Sequence, residues 1–284
     1  MTAARPTLAV TGSTGALGGL VAQLLADAGV PQRLLVRDPS RAPVLPQTSV
    51  HRSDFADTAA ARAALEGVDV LFMVSASESI DRLDQHRTFI DAAADAGVRQ
   101  VVYTSFLAAA PDATFTLARD HHATEEHLKS SGMDWTFLRD SFYLDFVTSV
   151  VGEDDVIRGP GGNGRCAFVA RTDVARTAAA ILRDPAPHVG RSYDLTGPAA
   201  VSFAEAAAQL SAARGRTISY HDESVEEAYA SRLRWPAPQW QYDAWVSTYT
   251  AIASGVMAEV SSAVLDITGV PPLSLAEHLA AGDR

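Results

Sequence analysis

Three glycines recur at every third position in the stretch TGSTGALGG, at Gly12, Gly15 and Gly18. An apolar run, TLAV, precedes them, and a helical pattern of apolar residues follows them. Glycines at such a place permit a tight turn and let the backbone approach a pyrophosphate, which the unpaired N–H groups of the following helix can bind. A glycine turn alone can be purely structural, but its position between strand and helix predicts a dinucleotide-binding loop. The residues expected to contact the dinucleotide are Thr11, Gly12, Ser13, Thr14, Gly15, Ala16, Leu17 and Gly18.

The end of the second predicted strand, in LLVRDPSRA, decides which dinucleotide fits. An acidic residue at this place binds a ribose 2′-hydroxyl and favours NAD(H), whereas an arginine binds a 2′-phosphate and favours NADP(H). Arg37 comes first and Arg41 follows one turn later, so we predict NADP(H) as the cofactor. Asp38 would favour NADH if it, rather than Arg37, faced the ribose, and an exposed arginine that binds no ligand is the remaining alternative.

Polar residues also follow three later strands, at the edge of the sheet where a dinucleotide lies. We expect contacts to the adenine from Asp54 and Phe55, to the ribose and diphosphate from Ser75, Ala76 and Ser77, and to the nicotinamide from Thr104 and Ser105. Phe55 would stack on the adenine ring, and Ser105 would hydrogen-bond the carboxamide.

The elements that must position these residues alternate between short apolar runs and Ala-rich helical stretches from Thr7 to Arg139. This alternation predicts an α/β fold with a doubly wound parallel sheet of the Rossmann type. The clearest helices are expected at 16–28, 80–96 and 119–131, and S-x-x-E capping boxes predict three more helix starts after residue 200. We expect a nucleotide-binding domain over 1–140 and about 167–196. A smaller, mostly helical substrate lobe should comprise 141–166 and 197–284.

Composition excludes several classes of protein. The formal net charge of -11 disfavours nucleic-acid partners, and no apolar stretch is long enough to span a membrane. The N-terminus lacks a long apolar segment, so we expect a cytoplasmic location. Cys166 is the only cysteine, which rules out an intrachain disulfide, and no spacing of His, Cys or carboxylates suggests a metal site.

Several longer stretches resemble the NmrA-like family of atypical short-chain dehydrogenase/reductases: LVRDP, QHRTFIDAAADAGVRQVVYTS, HHATEEHLKSSGMDWTFLRDSFY and ITGVPPLSLAEHL, together with the glycine loop. Within that family the sequence is similar to type-2 NAD(P)H:quinone oxidoreductases and triphenylmethane reductases. The resemblance implies an NADPH-dependent reductase with a small-molecule, quinone-like acceptor bound in the cleft between the lobes. Those relatives have Asn where this chain has Asp140, which suggests an added charge and a different acceptor.

The catalytic acid of many short-chain dehydrogenases, the tyrosine of Tyr-x-x-x-Lys, is missing, because Leu117 and His121 occupy the corresponding positions. Quinones and cationic dyes accept hydride readily, so a reductase of such acceptors can dispense with this tyrosine. The alternative is a non-catalytic NADP(H) sensor that binds a protein partner; a sugar-nucleotide epimerase or dehydratase would need the missing pair. We expect His121 and Ser105 to carry catalysis. His121 would position the ribose or nicotinamide and could also donate a proton, because the pKa of histidine is near neutral; the alternative is a solvated helix histidine.

Aromatic residues after the fifth and sixth strands are placed to hold a flat acceptor. Phe106 would form one wall and Phe142 with Tyr143 the other, with Asp140 nearby, although packing between the lobes explains such residues equally well. A second aromatic cluster, Trp235, Trp240, Tyr242 and Trp245, predicts either an acceptor pocket or a homodimer surface.

Overall fold

The computed structural model describes residues 7–282. The strands are β1 Leu8–Thr11, β2 Gln32–Val36, β3 Thr48–Arg52, β4 Val70–Met73, β5 Gln100–Phe106, β6 Asp134–Asp140, β7 Val156–Gly159, β8 Arg165–Cys166, β9 Arg191–Leu195, β10 Val201–Ser202 and β11 Ser219–Asp222. Seven of them form one sheet in the order β3-β2-β1-β4-β5-β6-β9. Two small sheets pair β8 with β10 and β7 with β11.

The large sheet has the predicted doubly wound Rossmann topology. Strand β1 pairs in parallel with β2 and with β4, so the strand order reverses at β1 and β4. Both strands are buried along their whole length, because helices cover both faces and the runs LAVT and VLFM carry few polar atoms. Ligands of such sheets bind outside the carboxyl ends of the strands at this reversal, where Thr11 leads into the glycine loop.

The helices agree closely with the sequence patterns. They are α1 Ala16–Asp27, α2 Thr58–Leu65, α3 Arg82–Asp95, α4 Thr116–Ser130, α5 Leu144–Ser149, α6 Arg171–Arg183, α7 Phe203–Arg214, α8 Val225–Arg232, α9 Gln239–Ala253, α10 Ala263–Thr268 and α11 Leu275–Ala281. All three capping boxes are present, at the starts of α7, α8 and α11. None of the helices in residues 7–282 has the length and apolar character needed to cross a bilayer.

The chain divides into two compact units. The first unit contains the residues up to Ser105, Asp120–Arg139 and Val174–Tyr193; the second contains Phe106–Arg119, Asp140–Asp173 and the chain from Asp194 onward. This division differs from the predicted one, because the segments 106–119 and 167–173 group with the second unit. The reason is that Leu107, Phe115 and Phe168 are buried in the core of the second unit.

Each unit has its own hydrophobic core. In the first, helices α2 and α3 pack their apolar side chains against the sheet, with Phe89, Tyr103 and Phe137 fully buried. In the second, aromatic rings dominate: Phe203 stacks on Tyr249 with ring centroids 5.1 Å apart and lies 6.4 Å from Phe168. The second unit is mostly helical, as expected, with β7, β8, β10 and β11 as short strands.

Candidate functional site

The glycine loop requires glycine at two of its three positions. Gly12 has a φ of +65°, in the left-handed region where other residues are strained. A Cβ atom on Gly18 would collide with the carbonyl oxygen of Gly12 and lie 2.7 Å from that of Thr11. Helix α1 therefore starts directly against the end of β1, and only glycine permits this close approach.

The start of α1 leaves room for an anion. Gly15 is the N-cap residue, no side chain caps the helix, and no acidic residue lies in its first turn. The first N–H groups of a helix lack partners within it and carry its positive dipole end. The Ser13 hydroxyl is buried and has no hydrogen-bond partner, which is unusual for such a group. A diphosphate would supply the missing acceptor, so the loop fits the predicted dinucleotide.

Two of the predicted loop residues, Thr11 and Leu17, could contact a dinucleotide only through their backbone atoms. The Thr11 hydroxyl donates to the carbonyl of Phe72 at 3.2 Å and accepts from the N–H of Val74 at 2.8 Å, so it ties β1 to β4. Leu17 turns its side chain into the core and is only 7% exposed. In contrast, Gly12, Thr14, Gly15 and Ala16 are exposed.

At the end of β2, the arginine and the aspartate have different surroundings. Asp38 caps a short 3-10 turn and accepts from both the backbone N–H and the hydroxyl of Ser40, at 3.0 and 2.7 Å. These hydrogen bonds lower the pKa of Asp38. Arg37 is exposed. Because local contacts already hold Asp38, the geometry favours Arg37 as the group that reaches a 2′-phosphate.

The predicted adenine contacts are partly occupied by the protein itself. Phe55 stacks on Phe89 with centroids 4.1 Å apart, so only its other face is left for an adenine ring. Asp54 accepts from the backbone N–H of Ala56 at 3.0 Å, which forms a local turn.

Buried side chains form hydrogen bonds with the backbone of the segment after β4. The backbone N–H of Ser75 donates to the Thr104 hydroxyl at 2.8 Å, which commits Thr104 to this support. Both polar backbone groups of Ala76 are engaged, by His86 Nε2 at 2.9 Å and by the Arg82 guanidinium at 3.0 Å. Ser77 is exposed, and contacts of Ser75, Ala76 and Ser77 with the cofactor stay predictions.

His121 lies in a buried network and does not have the expected properties of a proton donor. Its Nε2 is 2.8 Å from the Arg82 guanidinium, and its Nδ1 is 3.0 Å from the hydroxyl of Tyr103. Burial, with the charge of Arg82, lowers the pKa of His121 well below 6.5. Because a guanidinium only donates, Nε2 accepts and the single ring proton lies on Nδ1. The prediction of a histidine that titrates near neutral pH is wrong; a contact with the cofactor stays a prediction.

Ser105 is hydrogen-bonded to an ion pair whose carboxylate is buried. Its hydroxyl donates to Glu125 Oε1 at 2.6 Å, and Arg139 binds both oxygens of the same carboxylate at 2.8 and 2.6 Å. Because its proton is committed to Glu125, Ser105 can serve a carboxamide only as an acceptor from the amide N–H. A hydrogen bond between Ser105 and the carboxamide stays a prediction.

Regular spacing in the sequence could have identified the residues that support His121 and Ser105. Tyr103 and Ser105 alternate along β5 and so face the same side of the sheet, and His121 and Glu125 lie one turn apart on α4. These two patterns predict that a strand face and a helix face carry polar side chains opposite one another. Arg82 and His86, which complete the network from α3, show the same spacing of four.

In the second unit, the predicted acceptor residues form two groups. Phe106 and Phe142 belong to an aromatic cluster, with centroids 4.9 Å apart, and Phe142 is only 8% exposed. Asp140 is 2% exposed, and its Oδ2 accepts from the hydroxyl of Tyr143 at 2.7 Å. Burial raises the pKa of Asp140 to about 8, so the expected extra charge is absent at neutral pH.

The second aromatic cluster borders a cavity of about 1310 Å³ in the second unit. Trp235 and Trp245 line it, together with Phe146 and Tyr249, while Tyr242 supports the wall by donating to the carbonyl of Trp235 at 2.9 Å. Trp240 does not line it. Among residues 7–282 no group of three or more His, Cys, Asp or Glu side chains could hold a metal ion.

Comparison with known proteins agrees with this site. A family described as NAD(P)H-binding matches residues 12–185. Quinone oxidoreductase 2 of Escherichia coli is 32% identical over 279 residues, which cover 96% of this chain and 97% of that protein. An NAD(P)H azoreductase of Xenophilus azovorans is 32% identical over 273 residues, 94% of this chain and 95% of that protein.

Solved structures show the same similarity. An NADPH-dependent quinone oxidoreductase of Escherichia coli, crystallised with NADPH, has a TM-score of 0.89 and 31% identity over 97% of this chain and 99% of that one. Triphenylmethane reductase of Citrobacter sp., complexed with NADP(H), has a TM-score of 0.86 and 28% identity over the same shares. The chain therefore belongs to the NAD(P)H-binding family of NmrA-like atypical short-chain dehydrogenase/reductases and is an NAD(P)H-dependent oxidoreductase.

Proposed function

We propose that this protein uses NADPH to reduce quinones or similar flat, electron-poor acceptors. The observation that carries the proposal is the complete dinucleotide loop, with its required glycines and unpartnered Ser13 hydroxyl, in a chain that matches a quinone oxidoreductase along nearly its whole length. The bound cofactor supplies the hydride; the protein supplies binding, orientation and electrostatics.

Each part of the cofactor has residues that suit it. The loop from Gly12 to Gly18 and the first N–H groups of α1 would hold the diphosphate, and the exposed guanidinium of Arg37 would bind the 2′-phosphate. Ser105 would accept a hydrogen bond from the carboxamide, because Glu125 keeps its own proton occupied. The ion pair of the buried Glu125 with the partly exposed Arg139 would fix the orientation of Ser105.

The acceptor side of the proposal rests on the second unit. Phe106, which is only partly buried, and the residues after β6 offer aromatic faces on which a conjugated ring can stack. The hydroxyl of Tyr143 adds a polar group beside these rings, and its neutral pairing with the buried Asp140 suits an uncharged acceptor.

A non-catalytic sensor is the weaker alternative. It was suggested by the missing Tyr-x-x-x-Lys pair, but relatives at 32% identity over nearly the whole chain are named as reductases. A quinone is easily reduced, so the missing tyrosine argues for such acceptors and not against catalysis. A cytoplasmic location and a homodimer stay predictions.

The test is a steady-state assay of NADPH oxidation with a panel of quinones, with an azo dye and a cationic triphenylmethane dye, and with NADH in parallel. We expect quinone-dependent oxidation and a preference for NADPH. Arg37→Ala should weaken NADPH binding and leave NADH binding unchanged, which controls for the cofactor assignment. Tight binding of NADPH without oxidation by any acceptor would instead support the sensor.

A further inference from the structure

We infer that Tyr143, backed by Asp140, is the acid that delivers a proton to the acceptor. This inference rests on the proposed function, because it concerns the second half of the same reaction. Reduction of a quinone to a hydroquinone adds two electrons and two protons. A hydride brings both electrons and one proton, and the other proton comes either from solvent or from an acid of the protein.

The pair stands at the end of a strand that leads to the acceptor residues. Asp140 is the last residue of β6, and Tyr143 follows three residues later, just before α5. The backbone carbonyl of Asp140 accepts from the N–H of Leu107 at 2.9 Å, and this hydrogen bond links the end of β6 to the residue after β5. Carboxyl ends of strands form the ligand-binding edge of a doubly wound sheet.

The surroundings of Asp140 favour a neutral carboxyl group. Its Oδ1 is buried and has no hydrogen-bond partner, so an ionised carboxylate would leave a charged oxygen unsolvated. A protonated carboxyl group instead needs an acceptor for its proton. The hydroxyl oxygen of Tyr143, 2.7 Å from Oδ2, is placed to be that acceptor.

Protonation of Asp140 changes the direction of this hydrogen bond. When the carboxyl group donates to the Tyr143 oxygen, the hydroxyl proton of Tyr143 is released for another partner. Tyr143 is half-buried, whereas Asp140 is 2% exposed, so Tyr143 is the more accessible residue of the pair. In this pair the hydroxyl of Tyr143 can give up its proton while it receives the proton of the buried Asp140 carboxyl group.

The charged neighbours suit this transfer. The Arg171 guanidinium lies 4.7 Å from the centre of the Tyr143 ring, and Asp145 binds Arg171 at 2.6 Å. On the other side, Ser141 contacts the thiol of Cys166 at 3.5 Å, and burial raises the pKa of this thiol to about 12, so it stays neutral. The cation of Arg171 favours negative charge on the pair, while Asp145 moderates it.

The proton balance closes without a free phenolate. The O–H bond of Tyr143 breaks as a new O–H bond forms on the acceptor oxygen, and the carboxyl proton of Asp140 moves to the Tyr143 oxygen. Burial raises the pKa of Tyr143 well above 10, which would make it a poor acid alone. In the relay, however, the charge ends on the Asp140 carboxylate, and solvent returns the proton afterwards.

The test compares two acceptors that differ in their need for a proton. A cationic triphenylmethane dye becomes a neutral product on gaining hydride alone, whereas 2-methyl-1,4-naphthoquinone also needs a proton. Tyr143→Phe and Asp140→Asn should each lower kcat for the quinone by about 100-fold and lower kcat for the dye by a much smaller factor. Tyr229→Phe is the matched control, because Tyr229 also donates to an aspartate, Asp243 at 2.8 Å, in the same unit; it should affect neither acceptor.

Two further measurements separate this role from a structural one. The quinone rate of the wild type should fall above about pH 8, and Asp140→Asn should lose this fall. Infrared difference spectra should show a protonated carboxyl band at pH 7 that Asp140→Asn removes, with no acceptor present. Equal losses on quinone and dye, an unchanged quinone rate, or absence of the band would each overturn the inference. A wild type that reduces no quinone would overturn the proposed function itself, while the infrared result would still report the state of Asp140.

Discussion

Replacing Asp140 by asparagine should stabilise the protein, and increasingly so as the pH rises. The substitution keeps the size of the side chain and its ability to accept from Tyr143, but it removes the proton equilibrium. In the folded chain burial raises the pKa of Asp140 from its ordinary 3.8 to about 8. Between these values the folded wild type holds a proton that the unfolded chain has lost.

The magnitude follows from linkage. Each pH unit between about 4 and 8 lowers the free energy of unfolding of the wild type by about 1.4 kcal/mol, since the folded state binds one more proton. At pH 7 the accumulated loss is about 4 kcal/mol. The proton-linked stability is present below about pH 4 and is lost as the pH rises towards 8. Asparagine has no such loss, so its advantage should grow with pH.

The assay is urea unfolding of both proteins at pH 5, 6, 7 and 8. The difference in free energy of unfolding should rise by about 3 kcal/mol between pH 5 and pH 7. Contributions from other titrating groups, including the buried His86, cancel in the difference because both proteins share them. Asp243→Asn is the control, since Asp243 accepts from Tyr229 but is partly exposed. A difference between Asp140→Asn and wild type that is constant with pH would refute the reasoning.

Three other substitutions, two of them with a matched control, test the cofactor site and the buried network around His121. Gly18→Ala should abolish NADPH binding, because the new Cβ would collide with the Gly12 carbonyl. In the control variant Gly19→Ala the nearest contact of the new Cβ is 3.2 Å, so this variant should bind NADPH at least tenfold better than Gly18→Ala. Calorimetric titration measures both affinities. Arg37→Ala should reduce the ratio of NADPH to NADH affinity by about 10- to 100-fold, the effect of a lost hydrogen bond to a charged group, and an unchanged ratio would point to another residue. His121→Ala should lower the free energy of unfolding by about 2 kcal/mol or more, because Arg82 and Tyr103 would each lose a buried hydrogen bond to the imidazole. His122→Ala should change it by less than about 0.5 kcal/mol, since His122 is only half-buried; equal effects in urea unfolding would contradict the network.

The sheet and the helix starts follow from local patterns, which is why the sequence predicted them well. A parallel sheet buried on both faces needs apolar runs such as LAVT and VLFM, and a capping box depends on two residues three apart. The glycine loop is similarly local, because the clash at Gly18 involves residues fewer than ten positions away.

The protonation states could not be predicted in this way. The sequence shows His121 as a histidine with its ordinary pKa, but the pKa depends on burial and on Arg82, which lies on another helix 39 positions away. Asp140 looks like a charge in sequence, and only its burial makes it neutral. Both errors arise because desolvation is a property of the whole fold.

The two units of the structure also differ from the predicted domains, for a related reason. The segment 106–119 follows a strand of the large sheet, so continuity of the chain assigned it to the nucleotide-binding domain. Its apolar residues Phe115 and Leu117 are instead buried in the core of the second unit. The apolar character of a residue predicts that it is buried, but it does not predict which of the two cores contains it.

The division into units also limits how this protein can be taken apart. The chain passes from one unit to the other after residues 105, 119, 139, 173 and 193, so each unit consists of three separate segments. A gene fragment that encodes a continuous stretch therefore never encodes a whole unit. A change of acceptor specificity through exchange of the second unit would require three coordinated replacements. Point substitutions and insertions within loops are therefore simpler ways to change this protein than exchange of a whole unit.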